Sequence, residues 1–305
     1  MLTREQKNEK IQEEIENEEH RQKRRIITKK ILQILLIIFI IIILFFCYTR
    51  YAATSGLIVK EKRITSSSLP SSFDSFKIIH FSDLQYGSTI YGDEVDSLIK
   101  KINERNPSLI IFTGDLIDKD YNITNEEIEK LIKKLKKLNA DVGKYAVSGD
   151  EDNDKFNTIL KQADFTILDN NYELVYNKDN NPIIITGLSS SEKNRDIDKA
   201  FSYFKEPNHN SNIYSIAIMH EADSIDEIIA KYPVNIALAG GNLNGQIIIP
   251  GLGGIIKRKG ASIYLKPYQK INNTDLYISS GIGTDNSQIR LFNRPSLNFF
   301  RFATT

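Results

Sequence analysis

The chain has 305 residues and a formal net charge of +1, long enough for one large domain or two small ones. The balanced charge leaves no basic excess to neutralise phosphates, so no nucleic-acid partner is expected. The single cysteine, Cys47, excludes an internal disulfide and a Cys-based zinc site.

Taken in chain order, residues 1–30 form a charged tail of mixed Glu, Lys and Arg, expected to be a solvated helix or a disordered arm. Residues 31–48, ILQILLIIFIIIILFFCY, carry no charge. At 1.5 Å per residue this run crosses a bilayer core with help from its flanks. It follows thirty mostly polar residues and exceeds the core of a signal peptide, so it reads as an uncleaved transmembrane anchor in a lipid bilayer. Arg21, Lys23, Arg24, Arg25, Lys29 and Lys30 crowd its amino side. The positive-inside rule therefore puts the tail in the cytoplasm and the rest of the chain outside the cell membrane. Residues 49–74 read as a linker, Ser-rich toward their end (TSSSLPSSF).

From residue 75 to 305, apolar strands alternate with helical patterns, which implies α/β layering with mixed sheets. KIIHFSD (77–83), SLIIFTGD (108–115) and KYAVSGD (144–150) are strand runs that each end in an acid. The first is followed by a helix with Val95, Leu98, Ile99 and Ile102 at helical spacing. The second is followed by a helix opened by a capping box of Thr124 and Glu127. YSIAIMH (214–220) ends in a histidine, with a second capping box expected at Ser224 and Glu227. VNIALAGG (234–241) runs into Gly241, Asn242, Leu243 and Asn244, a loop shaped like a functional one but without acid, base or strong ligand.

An Asp after a strand is most often a turn former or helix cap. Asp83, Asp115, Asp150 and His220 in succession at strand exits are harder to explain so, because strand ends converge on one sheet edge. Converging carboxylates repel unless a cation or proton sits among them. Carboxylate oxygens with one imidazole suit Mn²⁺, Fe²⁺ or Zn²⁺.

FSDLQ, GDLID, SGDED, MHEAD and GGNLNGQ also stand in the order of the five signature blocks of calcineurin-like metallophosphoesterases, and the chain resembles their membrane-associated bacterial branch over about residues 75–305. The resemblance implies a sandwich of two mixed β-sheets flanked by helices. It also implies two metals held by loops at the strand ends, and a phosphate-containing small molecule or lipid as ligand. Carried over block by block, it makes Asp83 a metal ligand, with Gln85, a weak neutral ligand, where the family has histidine. Asp115 would bridge the metals. Asp150 stands at an asparagine ligand position, and Glu151 at that of the catalytic histidine. His220 keeps its ligand role, whereas Gly241 and Leu243 replace two histidines.

Of the four histidines, His20 lies in the tail, His80 points to the opposite strand face from Asp83, and His209 sits in a polar loop. None repairs the loss. At most one divalent transition metal (Mn, Fe or Zn) is therefore expected, or none. Besides a purely structural membrane protein whose acids only cap helices, two readings follow. One is an outward-facing phosphoesterase-fold domain that has lost catalysis and binds or senses. The other is a hydrolase with one metal on Asp115, Asp150 and His220, aided by Asp83 and by Glu151 as acid or base.

Overall fold

The structure is a computed structural model that describes residues 3–285 and 287–304. It divides into two units, one ending at Thr49 and one running from Arg50 to the carboxyl end. The first is a single helix, α1 (Arg4–Cys47). Its apolar part is exposed, with a mean hydropathy of 3.2 over 18 residues, and it is long and apolar enough to cross a membrane.

The second unit runs β1 (Ile58–Ser66), β2 (Lys77–Phe81), α2 (Gly92–Asn103), β3 (Leu109–Thr113), α3 (Asn125–Leu135), β4 (Gly143–Val147), α4 (Asp154–Gln162), β5 (Thr166–Ile167), β6 (Asn171–Val175) and β7 (Ile183–Leu188). It continues with α5 (Ile197–Ala200), β8 (Ser215–Glu221), α6 (Ile225–Ile229), β9 (Ile236–Gly240), β10 (Ile248–Ile249), β11 (Gly253–Gly254), β12 (Tyr268–Ile271), β13 (Thr274–Ile278) and β14 (Ser296–Thr304). One six-stranded sheet has the order β1-β14-β2-β3-β4-β5 and the other β12-β13-β9-β8-β7-β6. Both mix parallel and antiparallel pairs.

Period-2 alternation builds the layers. Ile78, Leu109, Ile111 and Val147 of the first sheet meet Ile185, Ile216, Ile218 and Leu238 of the second between the sheets. The alternate residues Ile79, Phe81, Ile110 and Phe112 face α2, α3 and α4 through Val95, Leu98, Leu131 and Phe156. Ala217, Met219, Ala237 and Ala239 pack on α5 and α6. The result is the expected two-sheet sandwich with helices outside.

The capping box at α3 is present: Thr124 Oγ1 accepts from the Glu127 amide, and Glu127 Oε2 accepts from the Thr124 amide. The one expected at Ser224 is not formed. A short 3₁₀ turn, Ala222–Ser224, leads directly into α6, so Ser224 is already helical, and its hydroxyl accepts from Arg195. The stretch expected to be a linker also needs correction. Residues 58–66 form β1, paired in parallel with β14 along the sheet edge. Its sequence, IVKEKRITS, is charged because little of an edge strand is buried.

Candidate metal centre

Asp83 and Asp115 follow β2 and β3, and Asp150 and Glu151 follow β4. His220 lies in β8, and Gly241 follows β9. These exits bring residues from both sheets to one edge. Asp83, Gln85, Asp115 and His220 are fully buried. Asp83, Gln85 and Asp115 all have positive φ, at 49°, 47° and 58°. Such conformations are uncommon outside glycine and cluster at functional sites.

Asp83, Asp115 and His220 each offer a ligand atom, all within 4.8 Å of one another. His220 Nδ1 donates to the Thr113 carbonyl at 2.6 Å, which turns Nε2 toward the acids. Nε2 lies 3.3 Å from Asp115 Oδ2 and 3.1 Å from Asp150 Oδ1, yet it makes a well-directed hydrogen bond to neither. Asp83 Oδ1 is likewise buried without a hydrogen-bond partner, while Oδ2 accepts from Ser82 and from the Gly241 amide. Burial opposes protonation of His220, but Asp115, Asp150 and Asp83 outweigh it and raise its pKa well above the usual value. Burial pushes Asp83 up to about 6, Asp115 adding to it. Burial also works against the charge on Asp150, but His220 and Arg258 prevail and hold its pKa low.

Gln85 binds the acids together. Its Nε2 donates to Asp115 Oδ2 at 3.1 Å and to Glu151 Oε2 at 3.0 Å. Glu151 also pairs with Lys119 at 3.1 Å, and its amide donates to Asp115 Oδ1 at 3.2 Å. The neutral glutamine amide thus satisfies carboxylate oxygens with hydrogen bonds but leaves their charge to be balanced by cations.

The main cation is one that sequence reading missed. Arg258 Nη1 donates to Asp115 Oδ2 at 3.5 Å and to the Gly241 carbonyl at 3.2 Å, and lies 3.9 Å from Asp83 Oδ1. Nη2 pairs with Asp285 at 3.0 Å. Burial disfavours this guanidinium, but Asp83, Asp285 and Asp115 more than compensate and hold it charged. The histidine-free loop therefore works through its backbone: the Gly241 amide serves Asp83 and its carbonyl serves Arg258. Asn242 and Asn244 brace it, through Asn242 Nδ2 to the Tyr264 carbonyl and Asn244 Nδ2 to Ser280, both at 2.6 Å. Leu243 is buried, and its side chain fills the space beside Gly281.

Asp152 was missed too. Its buried carboxylate accepts from the amides of Asp115, Leu116 and Gly149, each at 2.8 Å. Burial and Asp115 push it up to about 7 against those donors. Gly149 cannot be replaced cheaply, since a Cβ there would fall 2.1 Å from Asp115 Oδ1. His80 and His209 stand outside the centre. The former bonds to Thr113 Oγ1 at 2.9 Å, and the latter's Nδ1 lies 2.6 Å from the Glu206 carbonyl.

A model of the calcineurin-like phosphoesterase family matches residues 76–280. The metallophosphoesterase YkuE of Bacillus subtilis (strain 168) is 30% identical over 264 residues, covering 85% of this chain and 90% of that protein. A transmembrane protein with metallophosphoesterase domain from Bos taurus is 23% identical over 253 residues, covering 75% of this chain and 53% of its own length. Among solved structures, TT1561 of Thermus thermophilus aligns with a TM-score of 0.44 at 11% identity, covering 68% of this chain and 90% of that one. The chain belongs to the calcineurin-like phosphoesterase family. Members of this family use divalent metal ions, and among the described residues Asp83, Asp115 and His220 form a group that could hold one.

Proposed function

We propose that this protein is membrane-anchored with its domain outside the cell, and that the domain is catalytically impaired and binds or senses a phosphate-containing ligand. The observation that carries this reading is the Arg258 guanidinium on Asp83 and Asp115. A dinuclear site needs both carboxylates for dications about 3.5–4 Å apart. A guanidinium on the same oxygens repels them, and Gly241 and Leu243 supply no imidazole to compensate. The pair of metals does not fit these residues, so no hydrolytic step is built on it.

A second reading has one observation in its favour. Asp83 Oδ1 and His220 Nε2 are buried without hydrogen-bond partners, as ligands of one ion would be. Asp83, Asp115 and His220 would hold that ion, with Asp150 beside His220, provided that Arg258 withdraws. The ion would supply Lewis-acid activation of a phosphate ester. The test is turnover of bis(p-nitrophenyl) phosphate by the full-length protein after Mn²⁺ loading. The first reading expects none above the chelated control. Metal-dependent turnover that His220→Ala removes would overturn it in favour of a single-metal phosphoesterase.

A further inference from the structure

The β10–β11 hairpin exposes an apolar tip. Ile249 pairs with Gly253 across it, and Leu252 at the turn is 80% exposed. Ile255 follows at 49% and Ile249 at 37%. A side chain added at Gly251 or Gly253 would meet nothing within 4 Å, so the tip stands clear of the domain. Phe292, 63% exposed, joins it at the root, where the Ile248 amide donates to the Leu291 carbonyl at 2.9 Å. No acid occurs between residues 247 and 274, and Lys257 and Arg294 are exposed nearby. Contiguous exposed apolar residues beside cations mark an interaction surface.

Chain direction bears on which surface the tip faces. β1 is parallel to β14, which is antiparallel to β2. The chain therefore enters the sheet at the edge where β2, β3 and β4 deliver the acids. Arg50 donates to Gln288 at 2.9 Å, and Arg294 to the Ser55 carbonyl at 3.2 Å, which ties this entry to the strip that carries Phe292. Arg50 is two residues beyond the apolar run 31–48, at most about 7 Å of extended chain.

We infer that the hairpin tip, with Leu252, Ile249 and Ile255, and the adjoining Phe292 dock on the lipid surface in which the chain is anchored. This turns the edge bearing Asp83 and Arg258 toward lipid headgroups. The inference rests on the anchor part of the proposed function and is independent of whether the centre is catalytic.

The chain has no Trp, so single tryptophans report without background. Full-length Leu252→Trp and Tyr176→Trp would each be reconstituted in phosphatidylcholine/phosphatidylglycerol vesicles with and without brominated acyl chains. Tyr176 is 50% exposed and lies beside the start of β7, at the opposite edge. The expected result is a severalfold larger quenched fraction at position 252 than at 176. Equal quenching in vesicles that retain the chain would overturn the docking alone. A blue-shifted but unquenched Leu252→Trp, lost on dilution to one chain per vesicle, would overturn it in favour of a second copy as occupant. Release of the chain by carbonate would overturn the anchor and the docking together.

Discussion

Arg258 Nη1 stands 3.5 Å from Oδ2 of Asp115, the carboxylate that the family pattern assigns to both metals. A covalently attached cation has one advantage over an ion: it cannot be lost to a chelator. It also ties the segment around residue 258 to the strand exits, so the same contact that neutralises the acids shapes the entrance to them.

Removing that charge should be costly. Arg258→Gln leaves Asp83 and Asp115 buried with less compensation, and breaking a buried ion pair from one side costs about 3–5 kcal/mol. The variant should melt well below the parent, and Mn²⁺ should raise its melting temperature far more than the parent's. A variant that melts with the parent and ignores Mn²⁺ would refute the idea that Arg258 does a cation's work.

Metal content follows from the ligands. Elemental analysis after Mn²⁺ loading and desalting should find at most one ion per chain, and none in His220→Ala. Combining Gln85→His, Asp150→Asn, Glu151→His, Gly241→His and Leu243→His should not create a two-ion site while Arg258 remains. Adding Arg258→Ala should. Gly241 sits at φ 75°, and a Cβ there lies 3.1 Å from His220 Nε2, so a cooperative melt must be verified first. Two ions bound with Arg258 in place would count against charge exclusion.

His80 sets one acid-side limit on stability. Burial holds its pKa down to about 3, whereas in the unfolded chain it titrates near 6.5. The unfolded state thus binds a proton that the folded state refuses, and stability falls as pH drops between these values, by up to about 1.4 kcal/mol per pH unit. Asp83 and Asp152, whose pKa values are raised, act with the opposite sign but are shared by both proteins under comparison. His80→Gln should therefore flatten the loss of stability between pH 6 and pH 4 in denaturant melts. Parallel pH curves for parent and variant would contradict a buried neutral His80.

The proposed orientation rests on the cations before the apolar run, and epitope protection tests it. Protease added to intact cells should remove a carboxyl-terminal epitope and spare an amino-terminal one. Protection of the carboxyl-terminal epitope would reverse the topology.

Much of this could be read from the sequence. Buried strands such as IIHF and LIIF announce themselves by apolar runs, and a carboxylate just beyond each marks the exit edge. Thr124 and Glu127 are a local signal, three residues apart, and the local geometry obeyed it. β1 was not legible, because its partner β14 is a distant segment and its charged residues resemble a linker's. Arg258 was hidden for a related reason. It reaches Asp115 across 143 residues of sequence, from a glycine-rich stretch with no periodicity, and nothing local says that a guanidinium will turn inward. Asp152 passed as one more acid in SGDED, although its carboxylate accepts from three backbone amides.

Those amides have a wider consequence. Because the carboxylate of Asp152 gathers the Asp115, Leu116 and Gly149 N–H groups, the turns after β3 and β4 are held by the polypeptide itself. Order in these two turns thus has a source within the chain, in three peptide N–H groups and one carboxylate. The shape of the strand exits therefore depends on Asp152, a residue outside the group that would ligate an ion, and a change among the ligands leaves that scaffold bonded as before.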